Sequence, residues 1–384
     1  MHLHDVLLHF LYHECNEDSI CALARSTDRH FRFPNHPADV VRIVNIGPRR
    51  WTQEYRNITQ SAFANLAGRT MLKILKLVIP SEPLTSIISA DTGRALQIEN
   101  LTIRVGLQSH PTAVTVMTLL FTVQLSTLHL DLSRINIYPN YETIADILRH
   151  LPTQCPCLSS LSLRLPEPSS TTKDVQYLFD DENFSLPCLE RFTFVNEVAD
   201  LFLPPFLIRQ KNLKSLCYLT EYSPPEEDTL LLNDTLPQLA VIHGSISTVA
   251  AILKIHRLRH VRIKRYDASM FDKLCQALNK SPSVEVLQLY PDEGLPLSKL
   301  NTLLTSCTQL STLECTINFK AVDDVGMLDE MYQTIFSSLT KLAQLVLHYP
   351  KKNTNDRICH APTSDTEQCS ITTYRYRFSR TRHR

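Results

Sequence analysis

The sequence predicts an α/β solenoid in which parallel strands line one concave side and helices or irregular returns cover the other. Three observations predict it. A six-residue pattern with apolar residues at its first, fourth and sixth positions, as in Leu310-Ser-Thr-Leu-Glu-Cys315, occurs twelve times, with aliphatic or aromatic substitutes. The copies start at Val41, Leu72, Ile98, Leu125, Leu158, Leu189, Leu213, Leu239, Leu258, Val284, Leu310 and Leu342. Successive starts lie 19 to 33 residues apart, around the ~20–29-residue period of units that each contribute one strand to a stack. These intervals also supply the crossover of a dozen residues that parallel neighbours need.

Composition narrows the function classes. A chain of 384 residues with 43% hydrophobic and 20% charged residues and a formal net charge of zero lacks the charge excess that marks a nucleic-acid or membrane partner. Seven glycines are few, and neither a G-x-G-x-x-G turn nor a Walker loop is present, so nucleotide binding by those routes is not expected. The eleven cysteines are scattered. Cys157, Cys188, Cys217, Cys275, Cys307 and Cys315 lie in or beside apolar segments and read as buried thiols rather than a secreted disulfide framework. Met1 to Glu14 carries four histidines and an aspartate, unlike a signal peptide. The apolar run from Ala113 to Leu125 is broken by Thr115, Thr118, Thr122 and Gln124 and is too short to span a bilayer. The expected location is the cytoplasm, the nucleus or both.

Taken in order, residues 3 to 31 read as two short helices. Val6, Leu7, Phe10 and Leu11 recur at helical spacing, and Asp18 or Ser19 caps a second run with Ile20, Leu23 and Ala24 on one face. The segment Asp5-Val-Leu-Leu-His-Phe-Leu-Tyr12, a short acidic linker and Ser19-Ile-Cys-Ala-Leu-Ala-Arg-Ser-Thr-Asp-Arg-His-Phe31 resembles the first two helices of an F-box. It departs from that pattern in lacking the leading Leu-Pro, in carrying His30 or Phe31 for the usual tryptophan, and in the early Pro34. The resemblance implies docking on the adaptor of a cullin-RING ubiquitin ligase, with Val6, Leu7, Phe10, Ile20 and Leu23 packing or presenting the adaptor-facing helices. The alternative for residues 1–33 is a plain N-terminal cap of the array.

From residue 38 to 349, strands alternate with returns. Helical periodicity appears at Ile144, Ile147, Leu148 and Leu151, at Val249, Ile252 and Leu253, and at Met270, Leu274, Ala277 and Leu278. Consecutive prolines in Leu203-Pro-Pro-Phe and Tyr222-Ser-Pro-Pro-Glu-Glu-Asp predict extended or turn-like returns. Pro166 to Lys173 reads as a bulging loop. Residues 350–384 form a basic tail, poor in aliphatics, in which no regular structure is expected.

Over residues 38 to 349 the units resemble leucine-rich repeats, which implies a horseshoe with a concave parallel sheet. That family tends to carry Asn or Cys at the ninth position. Here Asn318 stands there once, against Pro80, Gly106, Ser133, Pro166 and Glu197 elsewhere, so the array is expected to be irregular. In each unit the first, fourth and sixth side chains should point inward and stack into one core. The third, fifth and seventh should face outward on the concave side. These outward positions gather Arg104, His129, Arg164, Arg191, His243, His260, Arg262, Lys264 and Tyr290, with few acids such as Asp131 and Glu314. The face is mildly basic and suits an acidic or phosphorylated protein segment.

No catalytic constellation is legible. The chain has no G-x-S-x-G elbow, no H-E-x-x-H and no catalytic-cysteine signature. His9 with His13 and His256 with His260 sit four apart without an evident third ligand. No enzyme activity, metal or cofactor is therefore expected. The aromatic and arginine-rich tail Tyr374 to Arg384 could stack on bases, but the neutral body makes protein the expected partner and nucleic acid not. A protein-recognition module, acting as a ubiquitin-ligase substrate receptor or as a scaffold without a ligase, is the expectation.

Overall fold

The structure, a computed structural model, describes residues 13–25, 36–47, 52–69, 71–79, 87–105, 117–132, 141–165, 173–196, 203–220, 236–265, 268–291, 294–307, 309–317, 339, 341–350 and 371–377. The chain divides into two compact units, residues 1–213 with 220–222, and residues 214–219 with 223–384.

In the first unit, seven strands follow sequence order: β1 (Glu14–Cys15), β2 (Ile43–Ile46), β3 (Met71–Ile79), β4 (Gln97–Val105), β5 (Thr127–Asp131), β6 (Ser160–Arg164) and β7 (Arg191–Asn196). Each pairs in parallel with the next. Between them run α1 (Ile20–Arg25), α2 (Pro37–Val40), α3 (Gln53–Leu66), α4 (Ala90–Ala95), α5 (Tyr141–Arg149), α6 (Leu151–Gln154), α7 (Lys173–Asp180) and α8 (Pro204–Ile208). Helices from successive returns pack on one another, α1 on α3 and α5 on α7, making a second layer over the sheet.

The second unit repeats the plan. Strands β8 (Ser215–Thr220), β9 (Val241–Ser245), β10 (His260–Arg265), β11 (Val286–Leu289), β12 (Thr312–Thr316) and β13 (Gln344–Pro350) are parallel neighbours in order. Their returns include α9 (Ile246–Leu253), α10 (Phe271–Asn279) and α11 (Leu297–Ser306), stacked side by side. The helical periodicity read at 144–151, 249–253 and 270–278 thus lies in α5 and α6, in α9, and in α10 with Met270 just before its start.

Burial follows the six-residue pattern. Of the first, fourth and sixth positions in all twelve units, only Tyr218 and Leu342 are not buried. Strand alternation explains the fourth and sixth. A recurring turn explains the first: its N–H donates to the carbonyl three residues earlier, as in Leu158 to Cys155 at 3.0 Å, Leu189 to Leu186 at 2.9 Å and Leu239 to Leu236 at 3.1 Å. Pro156, Pro187, Pro237 and Pro282 follow that carbonyl residue, the position where proline pre-sets a type I turn. The residue opening the turn is itself buried in Cys155, Leu186, Leu236, Cys307 and Leu339, so the working motif is longer than six residues.

Backbone bonds join one turn to the next. The carbonyl at the second position of a unit accepts two N–H groups from the following unit: Arg259 O from Glu285 (2.8 Å) and Val286 (3.0 Å), then Glu285 O from Ser311 (2.8 Å) and Thr312 (3.1 Å), then Ser311 O from Ala343 and Gln344. Ser126, Ser159 and Ser311 add hydroxyl donors to the same row, at 3.3, 3.1 and 3.0 Å. This ladder pairs the backbone of each turn with that of the next.

Three expectations need correction. The segment read as an acidic linker contains β1, and the carbonyl of the neighbouring His13 accepts from Arg42 and Ile43, so residues 13–25 hold a strand followed by a helix, like the units after them. Leu203-Pro-Pro-Phe opens helix α8 rather than an extended return. Both prolines fall in its first turn, where an N–H would have no intrahelical acceptor anyway. In the tail, Ile371–Arg377 forms β14, antiparallel to β13 with Leu347 opposite Tyr374. Its run of β-branched and aromatic residues favours a strand. The loop from 166 to 172 and the segment Tyr222 to Asp228 lie outside the described residues.

Candidate functional site

Outward strand positions form rows across each sheet, because parallel pairing brings equivalent positions of neighbouring units side by side. In the first unit, Lys76, Thr102, His129, Ser162 and Thr193 are in register, and beside them Val78, Arg104, Asp131, Arg164 and Val195. Arg104 Nε lies 3.2 Å from Asp131 Oδ2, whose side chain is 9% exposed. Burial lowers the His129 pKa; Asp131 opposes this, while Arg104, Arg164 and Lys76 reinforce it. The structure therefore brings Arg104, His129 and Arg164 together around one buried carboxylate. Arg191 is exposed in a different row, opposite Ser160.

The second unit carries a row of its own: Cys217, His243, Arg262, Gln288, Glu314 and Val346. Glu314 is its hub. Gln288 Nε2 donates to Glu314 Oε2 at 2.7 Å, and His348 Nε2 sits 2.8 Å from Oε1. The Tyr290 phenol also hydrogen-bonds to this carboxylate. Burial alone would raise the Glu314 carboxyl, but the bonds from His348, Tyr290 and Gln288, with the His348 charge, bring it below its ordinary value. The Tyr290 phenol is pushed up, first by burial and then by Glu314. Arg262 stacks over the Tyr290 ring, 5.2 Å from its centroid, and the rings of Tyr290 and His348 lie 5.8 Å apart. Arg262, Lys264 and His260 are exposed along β10.

At the other end of this row, Cys217 Sγ lies 3.1 Å from His243 Nδ1. Burial, with Arg262 and Lys264, lowers the His243 pKa to about 4, so the ring is neutral at pH 7.

No family model and no curated protein sequence matches the chain. Among solved structures it is similar to the crystal structure of a Bacteroides fragilis protein, with a TM-score of 0.35 and 11% identity, over 72% of this chain and 74% of that one.

The adaptor-facing residues divide. Val6, Leu7 and Phe10 lie outside the described residues. Ile20 and Leu23 are fully buried, on the helix that packs against α3, so they serve the core. The expected buried thiols also divide. Cys275, Cys307 and Cys315 are buried, and burial pushes the Cys275 thiol up to about 11 and those of Cys307 and Cys315 up to about 12. Cys157 and Cys188 are exposed and Cys217 is half-buried, because each occupies an outward position beside a buried leucine rather than an inward one. Among the described residues, no three His, Cys, Asp or Glu side chains gather as a metal site would, and no helix is long and apolar enough to cross a membrane.

Lys76, Gln288 and His348 were not singled out in the sequence. All three occupy fifth or seventh positions of their units, so the same rule that selected Arg262 and Tyr290, applied to every unit, finds them.

Proposed function

We propose that the chain is a non-enzymatic recognition module of the cytoplasm or nucleus that holds an acidic or phosphorylated segment of a protein partner on the outward face of its strands. One observation carries this reading. In the second unit the native acid of the face, Glu314, is occupied by Gln288, Tyr290 and His348, while Arg262 and Lys264 project from β10 with their charges exposed. A guanidinium already oriented over Tyr290 loses less freedom when it binds a carboxylate or phosphate. The test is binding to an array of acidic and phosphorylated peptides by the parent and by Arg262→Glu with Lys264→Glu. Loss of at least about tenfold in affinity, with an unchanged far-ultraviolet spectrum, is expected. Equal binding by the two proteins overturns the reading.

A second reading, carried by the likeness of Asp5 to Tyr12 and Ser19 to Phe31 to an F-box, makes the module a substrate receptor of a cullin-RING ubiquitin ligase. Burial of Ile20 and Leu23 leaves Val6, Leu7 and Phe10 as its adaptor contacts. Capture of the purified adaptor by the full chain, abolished by Leu7→Asp with Phe10→Asp, supports it, and failure of the parent to bind the adaptor sinks it.

A further inference from the structure

We infer that the outward face of the first unit carries a phosphate-binding site, built from Lys76, Thr102, Arg104, His129, Ser162 and Arg164 around Asp131, for a phosphorylated side chain of a protein partner. The inference deepens the proposed function and rests on it for the face that is used, but it draws on different residues and names a narrower ligand. Register places the groups. Thr102, His129 and Ser162 are neighbours in one row, on β4, β5 and β6, with Lys76 beyond Thr102 on β3. Arg104, Asp131 and Arg164 are neighbours in the next row along the same strands. With strands about 4.8 Å apart, the two hydroxyls reach in from either side of the imidazole, and the two arginines flank the carboxylate.

Two observations point to an anionic ligand. The first is charge. Lys76, Arg104, Arg164 and Asp131 are the charged groups that act on the half-buried His129, and the single carboxylate leaves two of the three cations uncompensated. A phosphate monoester carries a charge of about −1.5 to −2 at pH 7, whereas an Asp or Glu side chain carries half of that or little more. The second is unused hydrogen-bonding capacity. Arg104 turns Nε toward Asp131 Oδ2 at 3.2 Å while its side chain stays 31% exposed. Among the described residues, its Nη1 and Nη2 have no partner, nor have the Thr102 and Ser162 hydroxyls, the Lys76 ammonium or the ring nitrogens of His129.

Neutralising a buried carboxylate calls for less than this. One guanidinium balances the charge of Asp131. A second arginine on its other side and a lysine two strands away bring like charges close together, at a Coulomb cost that a dianion among them removes. Asp131 also prepares the site. It fixes Arg104 through Nε, so the two outer nitrogens of the fork meet phosphate oxygens with less freedom to lose.

The test uses the full chain and three degenerate peptide pools, identical but for a central phosphoserine, glutamate or serine, with binding read by fluorescence anisotropy. The parent should bind the phosphoserine pool at least about tenfold more tightly than the glutamate pool. Arg104→Lys keeps a charge beside Asp131 but lacks the fork, and Lys76→Gln removes a charge at an exposed position. Each should weaken phosphoserine binding at least about fivefold. Lys73→Gln, the same charge change at an exposed position of the same strand outside the cluster, should leave it unchanged. Inorganic phosphate should compete more weakly than the phosphoserine pool, since it makes no peptide contacts, and competition at equal concentration overturns the assignment to a protein side chain. Equal binding of the phosphoserine and glutamate pools overturns the inference while recognition of acidic segments by Arg262 and Lys264 stands. Binding of neither pool overturns both. Arg104→Lys and Lys76→Gln proteins that bind phosphoserine as tightly as the parent also overturn it. If Arg104→Lys fails to fold, Lys76→Gln against Lys73→Gln decides alone.

Discussion

At the scale of single residues, the outward face is held by a few charges whose environments set their behaviour. Glu314 is the clearest. Its folded carboxyl titrates below the ordinary value of 4.5, so the native state stays ionised over a range where the unfolded chain takes up a proton. Stability from this group is present above about pH 4.5 and is lost as the pH falls through the lower folded value. Glu314→Gln should therefore destabilise the protein by about 1–2 kcal/mol at pH 7. In denaturant titrations the gap from the parent should close as the pH is lowered below 4.5. A gap that stayed constant from pH 7 to 3 would show that the carboxylate's charge is not what the bonds from Gln288 and His348 stabilise. His243 has the same sign for a different reason. Its depressed pKa makes folding resist protonation, so stability falls between the ordinary 6.5 and about 4.

Elements succeed or fail by how their side chains meet the next unit. Gly244 stands at the sixth position, where other units place Leu, Ile, Phe, Tyr or Cys. A Cβ there would lie 3.1 Å from the Tyr218 carbonyl oxygen and 3.6 Å from Thr248 Cβ. Backbone atoms of a paired strand cannot step aside as a side chain can, so Gly244→Ala should cost about 1–3 kcal/mol, read as a lower denaturation midpoint. A Gly244→Ala protein as stable as the parent would mean that β8 and β9 pair more loosely than drawn. Gly68 has a different cause: its φ of 71° ends α3 in the left-handed conformation that glycine adopts at low cost. Inward triplets such as Leu310, Leu313 and Cys315 were legible because burial on one strand face has a fixed spacing. Helix α8 was misread because the proline rule was applied without regard to position. β1 was missed because two residues carry no readable alternation.

At the scale of the whole molecule, the first and last strands have to be protected. The first among the described residues, β1, is only two residues long, and a short edge offers little template to another chain. The last parallel strand, β13, is seven residues long and is covered by β14. The tail that read as solvated sequence thus supplies backbone partners for an edge. Truncation after Pro350 should leave the donors and acceptors of β13 unpaired and produce concentration-dependent self-association, measured by size exclusion with light scattering. A truncated chain as monodisperse as the parent at the same concentrations would remove the capping role of β14. The sequence by itself determined the inward positions, the order of the strands and the residues available to the outward face, since these depend on local spacing and on the short-range preference of successive units to stack. Only the tertiary structure decided which outward residues meet. Cys217 and His243 are 26 residues apart and Glu314 and His348 are 34 apart, and the distance between such groups is set by strand register across returns of unequal length, which no local pattern encodes.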